Sequence, residues 1–305
     1  MKGKTVPAEP TIAVFTKNRL NPAYHGARVG ADRTAARLGA KTKHFVPQRP
    51  DDVAQQIELI EQALGERPDA FVFVPVHESA VDDAIHEVTA AGIPVINIIN
   101  RMRRREDYAT FVGADDHEIG RRMSEYLFRH LGGRGDVAVL EGVPTAVTSQ
   151  DRVRGFRDEA QRWPGISVVA SRAGNFLQDD GRRAMDGILR ECGRIDGVFA
   201  ANHCMAFGAI EALQAAGRHS VIVGVNSTPD AISAIKSGEL LATADFDALK
   251  IACIATEAAV RVLRGLAVPR EIMLEVPIVE RGNCAEWDVP LENRVCPDWD
   301  ATIRR

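Results

Sequence analysis

No stretch of this 305-residue chain approaches the roughly 20 consecutive apolar residues that a membrane-spanning helix needs. A basic excess is also missing. The 38 Lys and Arg are outweighed by 42 Asp and Glu, for a net charge of −4, which makes nucleic acid a poor main partner. Catalytic signatures are absent: no GxSxG, P-loop or GxGxxG stands at a strand–helix junction, and there is no HExxH. The eight histidines are scattered, and His203 alone falls near a candidate site, where a hydroxyl partner or helix-start residue is expected over a catalyst. None of the five cysteines forms a CxxC or a zinc-like cluster, so neither metal nor cofactor is expected. No Gly/Ser- or Pro-rich linker interrupts the chain. The opening residues MKGKTVPAEP carry Lys2 and Lys4 with no apolar run behind them, so they do not read as an intact secretory signal. That fits a cytoplasmic protein, or an exported one whose signal has been removed.

What is present is an alternation of strand and helix. Thr11–Thr16, Lys41–Val46, Ala70–Val74 and Pro94–Ile99 read as strands. Between them, Pro22–Leu38, Val53–Leu64 and Ala80–Ala91 have helical spacing. A second series of the same rhythm starts near Asp115. Its strands are expected at Asp136–Leu140, Ile166–Ala170, Gly197–Ala200, Val221–Val225 and Leu241–Ala244. A long amphipathic helix, Leu249–Leu263, and one last strand over about Glu271–Val279 complete it. Short, almost wholly apolar runs suit parallel sheets covered on both faces, built from right-handed βαβ units. Gly39, Gly92, Gly217 and Gly265 each follow a helical run, where a left-handed C′ residue is needed. The fold class is therefore α/β, in two similar lobes.

The stretch Asn283–Arg305 has no clear period and reads as a tail packed on one lobe. It contains Cys284 and Cys296, which either form a bridge that pins the tail or remain free thiols. Cys192, Cys204 and Cys253 lie in apolar helical stretches and read as buried bystanders.

Six segments in order carry a resemblance: Asn21-Pro22-Ala23-Tyr24, Ala91-Gly92-Ile93-Pro94-Val95-Ile96, Asn100-Arg101, Asp151 to Phe156 (DRVRGF), Val198 to Asn202 (VFAAN), and Val223 to Asp230 (VGVNSTPD). Together they span about residues 10–280. The chain resembles the periplasmic sugar-binding proteins of ABC importers, of the type I, ribose-binding class. The resemblance implies two doubly wound lobes joined by three crossings, near Asp115, Asp245 and Pro277. Lobe one would hold 10–114 and 247–276, and lobe two 115–246 and 277–282. The ligand would sit between the lobes, at the strand C-terminal ends where open α/β sheets bind ligands generally.

Sugar hydroxyls both donate and accept, so amides, carboxylates and guanidinium groups suit them, with an aromatic against the C–H face. Carried over position by position, the resemblance implies ligand contacts from Asn21, Tyr24, Asn100, Arg101, Arg152, Phe176, Asn202 and Asn226, with Phe246, Lys17 and Asp245 added to the candidate set. Asn21 could equally cap the helix that Pro22 starts. Arg101 could be one of a run of surface charges with Arg103, Arg104 and Arg105, and Phe176 could be ordinary core. Several positions depart from the ribose binders: Asn100 and Asn226 replace Asp, Val74 replaces Asn, Phe246 replaces Gln, and Ala23 replaces an aromatic. Two carboxylates are lost while both arginines stay. Buried unpaired arginines are costly, so Asp115, Asp245 or an anionic ligand would have to compensate.

The expected protein is thus a monomer that captures a monosaccharide or polyol and performs no chemistry. A sugar acid is the alternative ligand. The resemblance implies an ABC permease as partner and a periplasmic location. A sugar-responsive core of a lactose-repressor-type regulator is a further alternative, and would require a helix-turn-helix ahead of Thr11.

Overall fold

The computed structural model describes residues 9–303, so the polar N-terminal residues 1–8 lie outside the described part. The chain divides into two compact units. The first is 1–114, 247–274 and 295–305, and the second is 115–246 and 275–294.

In the first unit, β1 (Thr11–Phe15), β2 (Lys41–Phe45), β3 (Ala70–Phe73), β4 (Val95–Ile98) and β5 (Thr110–Gly113) alternate with α1 (Pro22–Leu38), α2 (Val53–Glu66) and α3 (Asp82–Ala90). Local chemistry sets the helix limits. Asn21 accepts from the Ala23 amide at the start of α1, Pro22 follows it, and Gly39 ends the helix at φ 72°. β1, β3 and β4 are buried almost end to end, as apolar runs in a two-sided parallel sheet must be. Phe15 stacks on Phe45 and Phe71 at 4.9 and 5.0 Å between centroids, at the centre of this core. Burying each such ring contributes roughly 1.5–3 kcal/mol.

The second unit repeats the plan. Its strands are β6 (Arg134–Glu141), β7 (Gly165–Ala173), β8 (Gly197–Ala200), β9 (Val221–Val225) and β10 (Ala242–Ala244). Its helices are α4 (Asp116–His130), α5 (Val147–Ala160), α6 (Gln178–Glu191), α7 (His203–Ala215) and α8 (Pro229–Ser237). The chain then returns to the first unit for α9 (Ala248–Leu263) and β11 (Glu271–Met273), and to the second for β12 (Ile278–Glu280). The sheet orders are β11-β5-β4-β3-β1-β2 and β12-β10-β9-β8-β6-β7, so each strand of one sheet has a counterpart in the other. Pairing is parallel throughout except for β12, which runs antiparallel to β10.

Two elements differ from the sequence reading. β5 is an additional strand, hidden because four residues behind a charged run leave no readable period. The single last strand is two: β11 closes the first sheet and β12 the second, with Leu274–Pro277 between them.

The tail is not confined to one lobe. Arg294 donates to the carbonyls of Ser227, Val289 and Trp287 in the second unit. Beyond it the chain passes to the first unit, a fourth passage after those at 114, 246 and 274. There Trp299 lies under the Arg261 guanidinium of α9 at 4.4 Å. The disulfide joins Cys253 to Cys296, in place of the Cys284–Cys296 pair, and Cys284 is a buried free thiol. The reason is placement: Cys284 stays with the second unit, whereas Cys296 reaches α9 with a Cα–Cα distance of 5.7 Å from Cys253.

Candidate functional site

In both units most of the polar side chains singled out by sequence stand where strands end and loops begin, while Arg152 lies on α5. After β1, Lys17 is buried and its Nζ lies 2.7 Å from Asp51 Oδ1. Asn18 donates to the other Asp51 oxygen at 3.3 Å and accepts from the Asn21 amide at 2.9 Å. Asn21 thus acts as the N-cap of α1, with its Oδ1 taken by the Ala23 amide. Tyr24 is buried on the same helix.

After β4, the backbone makes a tight reversal at Ile99, whose φ is 65°. Asn97, not singled out by sequence, shapes this turn. Fully buried, it donates to Phe73 and Asn100 carbonyls at 3.3 and 2.8 Å and accepts from the Met102 amide at 3.0 Å. An amide inside the apolar run PVINII was the available signal, since it has to find partners there. Asn100 donates to the Pro75 carbonyl at 3.2 Å, while its Oδ1 is buried with no hydrogen-bond partner. Arg101 turns to the sheet edge, where it pairs with Glu271 of β11 and lies over the Phe111 ring at 4.0 Å.

In the second unit, Arg152 of α5 is almost wholly buried. Its Nε donates to Asp116 Oδ1 at 2.7 Å and its Nη1 to the Ala201 carbonyl at 2.8 Å, and Phe246 lies 4.7 Å beneath the guanidinium. Burial, opposed by the Arg152 charge, pushes the Asp116 carboxyl up to about 6. Asn202, at the end of β8, caps α7 by accepting from the Met205 amide at 3.0 Å and donates to the Phe176 carbonyl at 2.9 Å. Phe176 is half-buried with φ 62°, and its ring rests on Gly142, where a Cβ would collide with it. After β9, Asn226 adopts φ 88°. Its Nδ2 lies 3.2 Å from His203 Nδ1, and its Oδ1 is buried without a partner. Asp245 accepts from Ser227.

The chemistry of this ensemble is that of binding. Burial depresses His203 to about 4, so the imidazole is neutral at neutral pH. Its Nε2 lies 3.4 Å from Cys204 Sγ, but burial pushes that thiol up to about 12, far from a reactive thiolate. No cluster of three or more metal-ligating side chains occurs among the described residues.

Charge compensation also differs from the sequence reading. Each of the three candidate cations has its own carboxylate: Lys17 has Asp51, Arg101 has Glu271, and Arg152 has Asp116. Asp115 instead caps α4 through the Glu118 amide. A separate cavity of about 1130 Å³ in the first unit, lined by Glu61, Arg67, Asp69, Glu87, Pro94 and Leu263, contains none of the candidate residues. It opens at the N-terminal ends of β3 and β4, the opposite edge of the sheet.

Residues 12–267 match the family model of the periplasmic binding protein domain. The chain is similar to the ribose import binding protein of Bacillus subtilis, at 30% identity over 264 residues, covering 87% of this chain and 85% of that one. In structure it is similar to a periplasmic solute binding protein of an ABC transporter from Actinobacillus succinogenes with bound D-allose. There the TM-score is 0.87 and the identity 27%, covering 91% of this chain and all of the other. It is also similar to an ABC transporter solute binding protein from Bacillus halodurans with bound myo-inositol. That match has a TM-score of 0.86 and 26% identity, covering 93% of this chain and 99% of the other.

Proposed function

The chain belongs to the periplasmic binding protein family, whose members bind solutes and do not transform them, and on that premise we propose that it captures a neutral monosaccharide or sugar alcohol for an ABC importer. The relatives bind ribose, D-allose and myo-inositol, which are sugars and a polyol.

One observation carries the reading. Asn100 and Asn226 follow counterpart strands, β4 and β9, and each holds a buried amide oxygen with no partner. An orphaned buried acceptor costs about 1–3 kcal/mol. A sugar or polyol hydroxyl relieves that cost by donating to such an oxygen, whereas a carboxylate group, which only accepts, does not. The three candidate cations add to the argument, because each already has a carboxylate.

In this reading the ligand's polar partners are drawn from Asn100 after β4, Asn226 after β9 and Arg152 on α5. Tyr24, Phe176 and Phe246 supply apolar surface. Asn21, Asn202, Lys17 and Asp245 support the loops that carry these groups. An ABC permease would be the partner, and the binding protein would act as a monomer. Export to an oxidising compartment is supported by the Cys253–Cys296 bridge, a bond that cytosolic thiol pools disfavour.

Thermal-shift and calorimetric titration against ribose, allose, xylitol, myo-inositol, gluconate and galacturonate tests the proposal. A neutral compound should raise the melting temperature, since a ligand specific for the folded state stabilises it by mass action. Binding of the two sugar acids alone, or of none of the six, would overturn it.

A further inference from the structure

Arg152 is held in an unusual way for a group meant to meet a ligand. α4 and α5 approach so closely that a Cβ on Gly120 would collide with the Arg152 carbonyl, and one on Gly155 with the His117 carbonyl. Only glycine permits that approach at both points. The close crossing sets Asp116, in the first turn of α4, against the side of the guanidinium. The Ala201 carbonyl and the Phe246 ring fix two further directions. Nε and Nη1 are thereby used, and Nη2 makes no hydrogen bond among the described residues.

We infer that Asp116 is a positioning residue for the ligand: by holding Nε of Arg152 it leaves Nη2 as the donor offered to a hydroxyl, and it makes binding depend on Asp116 being ionised. This rests on the proposed capture of a sugar or polyol. The charged groups acting on Asp116 are Arg152 and Asp151 from α5 and Asp115 at its own helix cap. The two acids oppose ionisation and Arg152 favours it, yet burial outweighs Arg152 and leaves the carboxyl raised to about 6.

The raised value argues against a purely structural role. The fold binds a proton at Asp116 more readily than the unfolded chain does, whose ordinary value is 3.8. Its contribution to stability is therefore complete below pH 3.8 and is lost as pH rises through about 6. At neutral pH the ionised carboxylate costs stability, so what it supplies there is the fixed guanidinium. Once protonated it no longer balances the Arg152 charge, and a buried guanidinium without its counter-ion leaves its pose or binds less well.

The experiment is calorimetric titration of wild type and Asp116→Asn with the tightest-binding neutral compound of the six, at pH 7.5, 6.5, 5.5 and 5.0. Wild-type affinity should fall roughly tenfold or more across that range, the order expected for a charged hydrogen bond. Asp116→Asn keeps the shape and an acceptor but not the charge. It should bind weakly at every pH, with a flat profile. His203, depressed to about 4, stays neutral throughout and does not mimic the effect. A flat wild-type profile, or wild-type affinity and pH dependence in Asp116→Asn, overturns the inference. If the variant does not fold, the wild-type profile alone decides. If no neutral compound binds wild type at any pH, the proposed function itself fails, which is a different result from binding that ignores pH.

Discussion

Lys17 and Asp51 hold each other at 2.7 Å, with only 2% of the lysine side chain exposed. Asp51 sits at φ 57°, so the loop after β2 is bent to deliver this carboxylate. Asp51→Asn leaves a buried ammonium without its counter-ion and should destabilise the fold by about 3–5 kcal/mol. The double variant Lys17→Met/Asp51→Asn should recover most of that loss. Urea unfolding of the three proteins measures it, and equal stability of single and double variants would refute the pairing.

The Cys253–Cys296 bridge closes a loop of 43 residues in sequence separation. The chain-entropy model assigns a loop of that size about 4 kcal/mol. Unfolding midpoints with and without reductant should differ accordingly. Cys284→Ser, by contrast, should retain the reductant-sensitive midpoint, because Cys284 takes no part in the bridge.

Arg101 and Arg152 should behave differently. Arg152→Ala removes a guanidinium aimed by three partners and should weaken sugar binding by about 1.5–3 kcal/mol. Arg101 is engaged with Glu271 and Phe111 at the edge of its own sheet. Its replacement by Ala should change affinity by less than about 0.5 kcal/mol, as for a partly exposed pair. Calorimetry on the two variants decides, and equal losses would place Arg101 in the site.

Asn226→Gly removes both an orphaned acceptor and the strain of a side chain at φ 88°, which glycine adopts freely. The ligand-free protein should melt no lower than wild type. Sugar affinity should fall about threefold to tenfold, the range of one neutral hydrogen bond. A lower melting temperature with unchanged affinity would make Asn226 a purely structural residue.

His203 titrates at about 4 in the fold against an ordinary 6.5. The unfolded chain therefore binds the proton first, and the His203 contribution to stability falls as pH drops from 6.5 toward 4, against the opposite contribution of Asp116. His203→Gln should remove that loss, so that the variant gains stability relative to wild type as pH falls from 6.5 toward 4. An imidazole resonance of His203 titrating near 6.5 in the folded protein would contradict the assignment.

Most of the fold was legible because its signals are local. Asn21-Pro22 opening α1 and Gly39 ending it need only neighbours in sequence to act. The apolar run AFVF can be satisfied only between two covering layers. β5 escaped because TFVG is too short for a period to show. At the candidate residues, burial at strand ends was legible and the bonding partners were not. Asn202 reads from sequence as an amide that must find partners, and those partners are the Met205 amide and the Phe176 carbonyl. Asp116 and Asn97 were passed over because their importance lies in what packs against them.

By itself the sequence determined the alternation of strand and helix, the helix limits and the placing of amides at strand ends, since backbone propensity and burial period act over a few residues. Only the tertiary structure decided which carboxylate answers each cation, which cysteine meets Cys296, and which amide oxygens are left without a donor. Those outcomes depend on distances between residues tens to hundreds of positions apart, and such distances exist only once the sheets have formed.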